Sequence, residues 1–160
     1  MIVIIDTREQ NPLRFSDAVQ VERGTMPLAD YSIKGFEDQV AIERKSLGDL
    51  LGTITSGRER FIKELRGLRS YRFKALLIES DWPTILSGLY GVPSVVNPNS
   101  IIGSLMAFAI KYEVIPILAG DHATAGVLCE RLLSNYVRMI EQEYKLAKAI
   151  FAAPKVGDSK

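Results

Sequence analysis

Apolar and polar positions change period several times along the chain, and each change predicts an element. Residues 2–5 are an unbroken apolar run closed by Asp6, the mark of a short buried strand. From 40 to 45, Val40, Ile42 and Arg44 alternate with Ala41, Glu43 and Lys45, the two-residue period of a strand with two distinct faces. Residues 31–34 predict a shorter strand, and Gly35-Phe36-Glu37-Asp38 a turn leading back into the first. Residues 19–22 predict another strand, with Arg23-Gly24 as a turn after it. Continuous apolar runs at 75–79 and 114–118 predict strands buried between layers of helices.

Helical spacing takes over after Lys45. Ser46 is placed to cap a short helix whose inner face is Leu47, Leu50, Leu51 and Ile54. Ser56-Gly57 resets the chain into a second helix, with Phe61, Ile62 and Leu65 as its stripe and Arg58 on the same face. Tyr71 and Phe73, beside a strand, are assigned to the core. Asp81-Trp82-Pro83 begins a short helix or turn, and the stretch from Gly88 through Pro93 to Asn99 reads as a loop. Ser100 is read as the cap of a helix carrying Ile101, Ile102, Leu105, Met106 and Ala109, and Asp121 as the cap of a long helix from His122. That last helix has apolar positions from Val127 to Ile150, a face broader than one small sheet covers, which predicts a homodimer through the C-terminal helix. Strands alternating with helices make the chain α/β, with a central mixed sheet flanked by helices. The expected division is one domain over 1–150 and a loose tail over 151–160.

The chemistry gathers where the alternating strand turns polar. Glu43 and Lys45 project to one side and Arg44 to the other, and a carboxylate beside an ammonium is costly to bury without a task. The hairpin brings Asp30 beside Glu43 across the ladder. Two carboxylates so placed raise each other's pKa unless a cation lies between them. Oxygen ligands with several retained waters suit Mg²⁺ or Mn²⁺, with Lys45 left to hold an attacking water or the charge developing on a phosphate.

Charge distribution changes the picture more than total charge does. The whole chain carries net +1, yet between residues 44 and 74 nine Lys/Arg stand against three Asp/Glu, giving +6 there. Such asymmetry is the footprint of a phosphate-contacting surface, and a solvated helix face is the equally weighted alternative. Arg60, Lys63 and Arg66 are its solvent-facing members. The lone Cys129 excludes an internal disulfide and sits among apolar neighbours. The N-terminus reaches Asp6 too soon for a signal peptide and no run approaches a membrane span, so the expected location is intracellular. His122 falls in a first helical turn far in sequence from the acidic residues and is assigned a structural part.

The pattern Ala29-Asp30 … Glu43-Arg44-Lys45-x-x-x-Asp49 resembles the GD…ERKxxxD signature of the XPF-type structure-specific endonucleases, within the PD-(D/E)xK nuclease superfamily. Asp6-Thr7-Arg8-Glu9 is similar to the family's DxRE turn, and Ser56-Gly57-Arg58, the 75–79 strand and His122-Ala123-Thr124-Ala125 follow in the family's order. Glycine precedes the aspartate in the family where this chain has Ala29. The resemblance implies a restriction-endonuclease-like fold and metal-dependent hydrolysis of DNA at flaps, forks or other branches, in repair or recombination. It implies Asp30 and Glu43 as metal ligands and Lys45 as the water-activating group. Asp6 follows as a further catalytic or metal-neighbouring residue, Arg8, Arg44 and Arg58 as phosphate contacts, and Asp49 and Glu9 as residues orienting the site from behind. A helix–hairpin–helix module, usual after this domain in the family, is not expected within 160 residues. A non-catalytic DNA-binding or dimerising subunit on the same fold, and a phosphodiesterase acting on RNA or another diester, remain the alternatives.

Overall fold

The computed structural model describes residues 1–92 and 96–152. Its centre is a six-stranded sheet in the order β2-β1-β3-β4-β5-β6, built from β1 (Ile2–Asp6), β2 (Gln20–Gly24), β3 (Tyr31–Ile33), β4 (Val40–Ser46), β5 (Phe73–Glu79) and β6 (Ile115–Leu118). Only β3 runs against its neighbours; β1 and β2 are parallel to each other, as are β4, β5 and β6. The mixed sheet anticipated from the alternation of elements is therefore present, with Arg23 and Gly24 inside β2 rather than in a turn beyond it. Both residues pair in register with Ile5 and Asp6, and the parallel ladder overrides the local turn preference of Arg-Gly.

Strand alternation sends side chains into two cores. Ala41, Leu76 and Ile78 face α1 (Leu47–Ile54), α2 (Arg58–Gly67), α3 (Trp82–Ser87) and α4 (Pro98–Tyr112), packing with Leu50, Phe61, Leu65, Ile85 and Phe108. Val40, Ile42, Ala75 and Leu77 face α5 (His122–Ala152), packing with Ala125, Cys129, Leu133 and Tyr136. Tyr71 is buried, and Phe73 packs against Tyr136, as core aromatics should.

Caps set most helix boundaries where the polar residues placed them. The Ser46 hydroxyl accepts from the Asp49 N–H, Asp81 from Thr84 and Asp121 from Thr124. α4 starts earlier than expected, with Asn97 rather than Ser100 as the cap and Pro98 at the first position, where its missing N–H costs nothing. The loop reading at Pro93 and residues 153–160 of the expected tail lie outside the described residues, whereas Phe151 and Ala152, also assigned to that tail, continue the last helix.

Candidate active site

Register puts the two acids together. Tyr31 on β3 pairs with Ile42 on β4 in antiparallel fashion, so Asp30 falls across from Glu43. The Asp30 N–H donates to the Ile42 carbonyl at 3.1 Å, and the Asp30 carbonyl accepts from the Asp6 N–H at 2.8 Å. Asp30 is thereby fixed between the end of β1 and the interior of β4. One of its carboxylate oxygens accepts the Arg44 N–H at 2.8 Å. Ala29, just before it, adopts φ +65°, the left-handed conformation in which the family pattern has glycine.

Burial and then the Glu43 charge push the Asp30 carboxyl up to about 7, against a lesser opposing pull from Lys45. Burial likewise pushes Glu43 upward, opposed by the Lys45 ammonium. Lys45 Nζ donates to Glu43 Oε1 at 3.0 Å, with both side chains more than four-fifths buried. The same ammonium lies 4.5 Å from the centre of the Phe61 ring. One lysine offsets two crowded carboxylates incompletely, and the elevated acid pair is the condition a divalent cation relieves. Among the described residues no three of His, Cys, Asp and Glu form a ready-made metal cage. Two carboxylates suit Mg²⁺, which keeps waters and takes substrate oxygens as further ligands.

A six-stranded α/β sheet ending in this acid pair and lysine narrows the comparison. The sequence model of the ERCC4 domain matches residues 5–130. The chain belongs to the ERCC4 domain family. Its structure is similar to that of XPF from Aeropyrum pernix in complex with DNA, with 20% identity, a TM-score of 0.66, and 86% of this chain and 65% of that chain covered. It is also similar to a second structure of XPF from Aeropyrum pernix, at 20% identity and TM-score 0.65, covering 85% of this chain and 61% of that one. The fold is that of an XPF-type nuclease domain, and the chain spans less than two-thirds of either matched chain. A comparison with curated proteins gives no match.

Within this ERCC4 domain the other expected site residues separate into groups. Asp6, almost fully buried, spends both oxygens on the Arg8 N–H and guanidinium and on the Met26 N–H. Its carboxyl is held low despite its burial, because those donors outweigh desolvation. Asp6 thus fixes Arg8, whose side chain is 66% exposed and feels the charges of Asp30 and Glu43.

Arg44 differs most from its expected part. Alternation turns it to the α5 face, where its guanidinium grips Glu79 through two hydrogen bonds of 2.7 and 2.9 Å and lies 3.6 Å from Glu9. A side chain so engaged and only 10% exposed is not free to take a phosphate. Glu79 also meets His122 Nδ1 at 2.6 Å, so the structural histidine reaches the back of the site. Arg58 donates to the Ser104 hydroxyl at 2.8 Å, a neutral partner where a phosphate was expected. Asp49 accepts the Ser46 hydroxyl at 2.6 Å and completes the helix cap at the edge of the site.

The basic stretch is also less uniform than its sum. Lys45 and Arg44 are paired with acids, Arg72 is paired with Glu143, and the buried Lys74 donates to the Tyr71 carbonyl. Arg60, Lys63 and Arg66 remain exposed along α2. Lys45, Asp49 and Arg60 line a cleft of about 520 Å³ between α1 and α2. Two acidic residues not assigned from sequence belong to the setting: Glu79, and Glu64 of α2, whose charge helps raise Glu43. Glu79 ended an apolar strand and carried a readable signal; Glu64 looked like an ordinary solvated helix residue.

Proposed function

We propose that this ERCC4 domain is a divalent-metal-dependent DNA endonuclease acting at branched or flap DNA. The observation that carries the reading is the buried pair Asp30 and Glu43, both with raised pKa, beside Lys45 at the polar end of β4. Asp30 and Glu43 would hold Mg²⁺ or Mn²⁺, which supplies Lewis-acid polarisation of the phosphoryl oxygens and of a bound water. The Arg44 peptide N–H holds Asp30 in place for that role. Lys45 gives one N–H to Glu43 and has two left for an attacking water and a non-bridging phosphate oxygen. Arg8, anchored by Asp6 and exposed beside the acids, takes a neighbouring phosphate. Arg60, Lys63 and Arg66 hold the duplex backbone along α2, with Arg58 lending its remaining donors from the same helix.

The domain works on intracellular DNA and dimerises through the exposed apolar end of α5. No described helix is long and apolar enough to cross a membrane. The deciding experiment is cleavage of labelled flap, fork and plain duplex DNA with Mg²⁺, Mn²⁺ or EDTA. Metal-dependent cutting of the branched substrates is expected, with Glu43→Ala lowering the rate by at least about 100-fold and leaving DNA binding intact. Equal cutting by wild type and variant, or cutting in EDTA, rejects the assignment.

A further inference from the structure

A groove of about 1190 Å³ lies on the α5 side, more than twice the volume of the cleft beside Lys45. One wall is the outward face of α5, where His122, Val127, Arg131, Ser134 and Arg138 recur at helical spacing. From 122 to 138 that face runs about 24 Å at the helical rise. The facing wall is the 11–16 loop.

The loop wall is held in place from three directions. Gly126 admits it: a Cβ there would stand 2.4 Å from the Arg14 carbonyl oxygen. The Leu13 N–H donates to the Tyr31 hydroxyl at 2.9 Å. The Ser16 N–H and hydroxyl donate to the two oxygens of Glu130, at 2.8 and 2.7 Å. Among the described residues Glu130 is the one carboxylate lining the groove; it accepts both Ser16 hydrogen bonds and also attracts the adjacent Arg131 charge. Arg14, Arg131 and Arg138 are exposed and have no hydrogen bond or ion pair among the described residues. Phe15, half-buried against Tyr31, and the exposed Val127 add apolar surface between the cations.

We infer that this groove binds single-stranded DNA. Guanidinium groups spaced along an open groove, with apolar and aromatic surface between them, fit a strand whose phosphates face the arginines and whose bases turn onto the wall. Apolar and aromatic surface between the arginines favours unstacked bases, which a single strand offers and a duplex does not. The groove's His122 end meets Glu79, which holds Arg44, whose peptide N–H holds Asp30. That end is therefore three contacts removed from Asp30, on the opposite face of the sheet from Glu43 and Lys45. The inference deepens the nuclease reading and rests on it in one respect: the ligand is the single-stranded arm of the branched substrate.

The test uses the whole chain in EDTA, with a fluorescein-labelled oligo-dT of about twelve nucleotides. Anisotropy titrations compare wild type with Arg131→Glu/Arg138→Glu and with Arg131→Gln/Arg138→Gln, each checked for native circular dichroism. Wild type binds the oligonucleotide. Either double variant weakens binding roughly ten-fold at moderate salt and lowers the slope of log K against log salt by about 1.4, the share of two phosphates. Competition by a glutamate-rich peptide of equal charge leaves the oligonucleotide bound. Absence of single-strand binding by wild type, unchanged binding in both variants, or displacement by the peptide overturns the inference. Branched DNA cut by wild type with unchanged single-strand binding in the variants sinks the groove and leaves the nuclease standing. Arginine-dependent binding with no cutting does the reverse.

Discussion

Asp30, crowded by Glu43, is one of two buried acids that tie the fold's stability to pH. Its folded pKa of about 7 lies above the ordinary carboxylate value, so between about pH 4 and 7 the folded chain holds a proton the unfolded chain has released. Stability of the metal-free protein therefore falls as pH rises through that window, the opposite of a salt-bridged aspartate. In EDTA, the melting temperature is expected to drop from pH 5 to pH 8, by about 2–4 °C for each kcal/mol involved. Mg²⁺ at pH 8 restores it, and Asp30→Asn removes most of both effects. A flat profile in EDTA would contradict the crowded-acid description. Ala29 offers a second test at this scale. At φ +65° an alanine is strained by about 1 kcal/mol, so Ala29→Gly is expected to raise stability by up to that amount in urea denaturation, and a destabilised variant would refute the strain.

At the scale of elements, β4 and its neighbours carry two charged clusters back to back. One face presents Glu43 and Lys45 toward Phe61 of α2; the other presents Arg44 to Glu79 of β5, Glu9 and His122 of α5. Because the Arg44 backbone holds Asp30, the rear cluster braces the front one. Glu79→Gln leaves Arg44 in a nearly closed pocket without its bidentate partner, and the expected cost is about 3 kcal/mol in denaturant unfolding. Glu22→Gln, which breaks the half-exposed pair with Lys34, is expected to cost no more than about 0.5 kcal/mol. Similar costs for the two would remove the rear cluster from any bracing part.

At the scale of the molecule, the two ends of α5 differ. Ala125, Cys129, Leu133 and Tyr136 are buried against the sheet, whereas Tyr144, Leu146, Ile150 and Phe151 are each at least 63% exposed. This apolar surface, continuing past the edge of its own sheet, is what the proposed dimer would cover. Sedimentation is expected to give a dimer, and Leu146→Glu/Ile150→Glu a monomer with unchanged helix content. A monomeric wild type at high concentration would rule this out.

Local patterns alone were enough for the sheet's two-faced strands, the capped helix after Ser46 and the side of β4 on which Glu43 and Lys45 stand. These depend on periods of two and 3.6 residues and on caps only a few positions away. The sequence also pointed to Asp30, since a short hairpin admits few registers once one face must be buried. Tertiary structure decided the rest. Whether Arg44 meets a phosphate or Glu79 depends on a strand 35 residues later in the chain. That Arg58 finds Ser104, that Ala29 accepts a glycine-like conformation, and that the 11–16 loop lies across Gly126 likewise follow from segments distant in sequence. Local periodicity reports which face a side chain takes; only the packed layers report what waits for it there.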